Sequence, residues 1–164
     1  SRLLERGDAF FEGNPFVGRL LQTHRALAHL QRLSVFLAPL SKEEILFLNN
    51  PARNISLPGL VTDIMRRKLL RRTRRQKGEL SLKDLENIER RAGSAFRELQ
   101  EAVHFDWVIP NHDGEDSDNW DTFYYPLGDA RRALLAFVDL LEGRTPVGAE
   151  KWDAGLMSSA ELSG

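Results

Sequence analysis

The chain has 164 residues, a formal net charge of −1 and 41% hydrophobic residues. That length fits one domain with a sizeable core, and a charge so near zero excludes a molecule that binds polyanions with its whole surface. Cysteine is absent, which excludes disulfides and thiolate metal sites and suits a cytoplasmic setting.

Residues 1–7 are polar and charged, unlike a secretory leader, and an opening without Met reads as a piece of something longer. Residues 8–12, DAFFE, predict a short buried strand closed by Glu12, before the turn signal Gly13–Asn14–Pro15. Apolar residues at helical spacing predict a helix from residue 16 to about 31. A second strand is expected over residues 33–37, ended by Pro39. Ser41 with Glu44 three positions on forms a capping box that opens a short helix. Residues 49–60 hold two prolines and three asparagines and read as a loop.

Residues 61–77, VTDIMRRKLLRRTRRQK, carry eight Lys and Arg. Like charges crowded on one helix repel, so the run needs solvent or an anion around it. Gly78 breaks this helix. Ser81 and Asp84 head the next, running to about residue 103 with Leu85, Ile88, Ala92, Ala95, Phe96 and Leu99 on one face. A third strand follows over residues 105–110, then an acidic loop over 114–125 and a last amphipathic helix within 126–142. Residues 143–164 read as a weakly ordered tail. Strands separated by helices predict an α/β fold with a parallel sheet. No apolar run approaches the roughly 20 residues that span a bilayer, so no membrane partner is expected.

Three uses of the basic run stay open: a lid over a phosphate ligand, a solvated face, and nucleic-acid binding through backbone phosphates. The last is disfavoured by the overall charge and by the lack of aromatics within the run. The four histidines make no metal-ligand pattern, and Trp107, Trp120, Phe123, Tyr124 and Tyr125 are expected to pack the acidic loop and last helix onto the sheet.

Taken together, residues 7–22, 33–45, 71–99 and 105–116 (FDWVIPNHDGED) resemble the carboxyl-terminal part of a guanylate kinase-type nucleoside monophosphate kinase of the P-loop class. The resemblance implies a three-layer αβα sheet lacking its first strands, with residues 1–142 as part of that domain and a lid at about 61–80. It implies ATP and Mg2+ as cofactors, a nucleotide substrate, and transfer of a phosphoryl group to a nucleoside monophosphate. By resemblance Arg71, Arg74 and Arg75 close over the ATP phosphates, with Arg91 reaching in from the following helix. Asn111 lies near the adenine base, and Asp113 and Glu12 near substrate and metal, though no metal site is expected from this chain itself.

Two departures limit the resemblance. The phosphate-binding G-x-x-x-x-G-K-[ST] loop is missing. Residues 13–20, GNPFVGRL, keep its glycine spacing but put Arg for Lys and Leu for the hydroxyl. The segment that binds the acceptor nucleotide is also missing. The chain alone is therefore expected to be inactive, completed by an amino-terminal segment or a partner chain. The alternative is a non-catalytic guanylate kinase-like module that binds protein or nucleic acid.

Overall fold

The computed structural model describes residues 7, 9–114 and 117–161, with side chains through 157 at the carboxyl end. Its centre is a two-stranded parallel sheet of β1 (Val35–Ala38) and β2 (Trp107–Pro110), with Val35 opposite Trp107 and Ala38 opposite Pro110. Side chains alternate across a strand, and helices cover both faces. Phe36, Ala38 and Val108 point into the larger core. There they meet Ile45 of α2 (Lys42–Leu48), Leu57 and Val61 of α3 (Leu57–Lys77), and Ala95 and Leu99 of α4 (Leu82–Gln100). Ile109 points the other way, against Ala133, Ala136 and Leu140 of α5 (Gly128–Leu141). The molecule is thus a mixed helix and strand structure of α/β type.

Local chemistry sets the helix boundaries. Ser41 and Glu44 form the expected capping box on α2, and Ser81 and Asp84 form another on α4. The basic helix begins earlier than its charge run suggests, because Ser56 caps it and Pro58 fits its first turn. The loop therefore shortens, and it contains a 3-10 turn at Pro51–Arg53. α3 and α4 fold back on each other as an antiparallel hairpin, stapled by Arg66 to Glu89 at 2.7 Å and by Lys77 to Asp84 near its tip. Leu69 is the last buried residue of α3, and Ile88 the first of α4. The intervening arm projects from the core.

Several expectations are corrected. Residues 9–14 form no strand. Phe10 and Phe11 are exposed there, with Phe10 edge-on to Phe137 of α5; a strand needs a ladder partner, and none lies alongside (Asp8 is outside the described residues). The expected helix to residue 31 stops at Thr23 as α1 (Pro15–Thr23), where His24 turns extended and caps a 3-10 turn. The carboxyl segment is not a loose tail in the part described. Glu150 bridges to Val108, Trp152 is buried, and Leu156 and Met157 of α6 (Ala154–Glu161) join the larger core. Phe123, Tyr124 and Tyr125 stack edge-on among themselves in the open and leave the sheet alone. Among the described residues no helix is long and apolar enough to cross a membrane.

Candidate functional site

In parallel α/β sheets the carboxyl ends of the strands face a crevice where ligands collect. Here β2 ends at Pro110, and the turn beyond it runs along α3. The Lys68 ammonium donates to the Asn111 carbonyl at 3.2 Å, tying the basic helix to the strand's tip. One turn further, Arg71 and Arg75 share a face, as positions four apart on a helix do. With Ser117, Asp118 and Asn119 they line an open cleft of about 540 Å3. Arg75 Nη1 lies 2.9 Å from Asp118 Oδ1.

Asp113 organises the far wall of this cleft. Its carboxylate accepts from Asn119 Nδ2 at 2.9 and 3.0 Å, from Ser117 Oγ at 2.9 Å and from the Ala130 N–H at 2.8 Å. The last bond caps α5, whose own N-cap residue Leu127 has no side-chain acceptor. Burial pushes the Asp113 carboxyl up, but the bonds from Asn119, Ala130 and Ser117, with the nearby Lys68 charge, outweigh it and hold the pKa below its ordinary value. Both oxygens being committed to protein donors, Asp113 builds the site and does not face a ligand.

Asn111 is half committed. Its Oδ1 accepts from the Asp113 N–H at 3.0 Å in an Asx turn, and its backbone N–H donates to Ala38 O at 2.8 Å. The donor end of the amide remains for a ligand, so the group offers donation without acceptance. Its neighbour His112 places Nε2 2.9 Å from Glu44 of α2 and Nδ1 against Asp129 of α5, clamping the two helices to the strand end. Burial raises the Glu44 pKa, but the Ser41 N–H and the His112 ring and charge win, and the net direction is down.

The remaining expected site residues lie elsewhere. Arg74 is exposed, as is Arg91 on α4, and neither lines the cleft. Glu12 is exposed in the irregular segment ahead of α1, at no strand end. The glycine-spaced segment 13–20 is helical from Pro15. Gly18 packs so near Phe105 that a Cβ would sit 2.9 Å from its ring, and Arg19 pairs with Glu101 at 3.2 Å. It forms no anion cradle. The basic run is also partly neutralised within the chain, since Arg66 meets Glu89 and Asp63, Arg75 meets Asp118 and Lys77 meets Asp84. The charge alone therefore does not demand a ligand.

The donor set fits a phosphate-bearing ligand better than a metal. Guanidinium groups bind phosphate bidentately and stay charged. Among the described residues no group of three or more His, Asp or Glu is placed to hold a metal ion, and Asp113 has no oxygen to spare for Mg2+. No protein-family model, curated protein or solved structure matches the chain.

Proposed function

We propose that this chain is the carboxyl-terminal part of a guanylate kinase-like P-loop domain, and that its cleft holds the phosphate chain of a nucleotide. The observation that carries this reading is the meeting of Arg71 and Arg75 with the turn at the carboxyl end of a parallel strand. In this role Arg71 and Arg75 bind phosphate oxygens and spread charge away from a transferring phosphoryl group. Asn111 donates its amide N–H to a base edge, and Asp113 holds the turn in register. Phosphoryl transfer in this class draws on Mg2+ to neutralise the phosphates, and the residues here leave that ion to another segment.

The open side of β1 supports the finer fold. Among the described residues the sheet has only two strands. Leu37 remains 62% exposed on the sheet face, as fits a sheet continued by strands from elsewhere. On this reading the chain does not turn over substrate alone, and its cytoplasmic setting belongs to the same proposal. A second reading is a non-catalytic binding module of the same fold. It is favoured by the displaced Arg74, Arg91 and Glu12 and by the missing phosphate loop.

Calorimetry with ATP at about 20 mM and 300 mM salt tests the first reading, since exposed phosphate contacts weaken as the screening length shrinks. Heat at low salt that fades at high salt, and is lost in Arg71→Ala, is expected. A silent titration at low salt leaves the binding-module reading in its place.

A further inference from the structure

Asp118 occupies the position a ligand oxygen would take. Its Oδ1 lies 2.9 Å from Arg75 Nη1 inside the cleft. The carboxylate is presented by a 3-10 turn, Asp118–Trp120, that is anchored on several sides. Ser117 Oγ accepts from the Asn119 N–H, Trp120 Nε1 donates to Gly114 O at 3.0 Å, and Asn119 Nδ2 is held by Asp113. The pair is nonetheless a surface one, with side chains 54% and 84% exposed. Exposed pairs are weak. A firmly mounted carboxylate on a weakly held arginine is a contact that an incoming anion displaces.

We infer that Asp118 is a built-in competitor for Arg75, closing the basic arm onto the turn and setting how strong an anion must be to enter. This rests on the phosphate-binding reading above and adds a regulating residue to that site. A ligand with one charge at one oxygen only replaces what Asp118 already supplies. A polyphosphate chain reaches Arg71 and Arg75 together and gains a contact that Asp118 does not make. The cleft therefore selects extended phosphate chains over single carboxylates or phosphates.

The test uses tripolyphosphate as probe on the whole chain, with Asp118→Asn, Arg75→Ala and the double variant. Asp118→Asn is expected to tighten binding about two- to fivefold at low salt, the range an exposed ion pair is worth, and to have no such effect in the Arg75→Ala background. Equal tightening in both backgrounds, or none, overturns the competition. Hydrogen exchange without ligand reads the contact separately. The Trp120 and Asp121 amides, bonded to Ser117 O and Asp118 O, are expected to exchange several-fold faster in Asp118→Asn. Unchanged exchange overturns the inference even where tripolyphosphate binds. Absence of binding by every variant sinks the phosphate reading and the competition with it, while faster exchange would still report the closed contact.

Discussion

The Asp113 carboxylate accepts from the Ala130 backbone N–H at 2.8 Å, although seventeen positions separate the two residues. One acid thus caps α5 and shapes the wall of the basic cleft. Removing it leaves Asn119, Ser117 and a helix end short of an acceptor. Asp113→Ala is expected to cost about 1–3 kcal/mol, measured as a drop in urea midpoint at pH 7.

The pH dependence of that loss has a definite sign. The folded carboxyl has a lowered pKa, so the unfolded chain takes up its proton first as pH falls. The stabilisation is complete above the ordinary carboxylate value, about 3.9, and disappears as pH drops through the folded value. Urea midpoints of wild type and Asp113→Ala should therefore differ at pH 7 and converge in the acid range. Asp84 behaves alike. The bond from Lys77, then those from Ser81, lower its pKa to about 2, so the α4 capping box should persist at pH 4 and fail near pH 2, read by helical circular dichroism.

Gly128 starts α5 at φ +57, and a Cβ there would meet Asn119 Nδ2 at 3.0 Å and Asp113 Oδ2 at 3.4 Å. Gly128→Ala strains the backbone and crowds the cleft wall, at a cost of about 1–3 kcal/mol. Gly93 sits within α4 with nothing near its Cβ position. Gly93→Ala should instead stabilise by about 0.5–1 kcal/mol. Thermal melts of both variants check the opposite signs.

Arg71→Ala and Arg75→Ala should weaken tripolyphosphate binding about tenfold each, as loss of a charge-assisted contact does. Neither should move the melting temperature appreciably. Arg74→Ala, outside the cleft, should leave binding within about twofold, a change that surface charge screening allows. Equal losses for all three would show that bulk charge, not the cleft, attracts the ligand.

What the sequence disclosed follows from distance along the chain. The two capping boxes join residues three apart, and both could be read directly. Arg71 and Arg75 are four apart, so their shared face was also there to be read, with Arg74 off it. The clamp of His112 on Glu44 and Asp129 joins residues 68 and 17 positions apart, and nothing local announces it. Asp113 looked like loop solvation because its partners are set by the fold. DAFFE had a strand's composition without a neighbour to pair with. Residues 143–157 lack periodicity, yet Glu150 and Trp152 find their places by bridging and burial.

Beyond Leu69 the hairpin of α3 and α4 adds nothing to the core. Two separate pressures therefore act on one continuous helix. Its base is constrained by packing, where a wrong side chain unfolds the protein. Its outer turns answer only to whatever they touch, and evolution is at liberty to rewrite their chemistry while the scaffold beneath stays as it is.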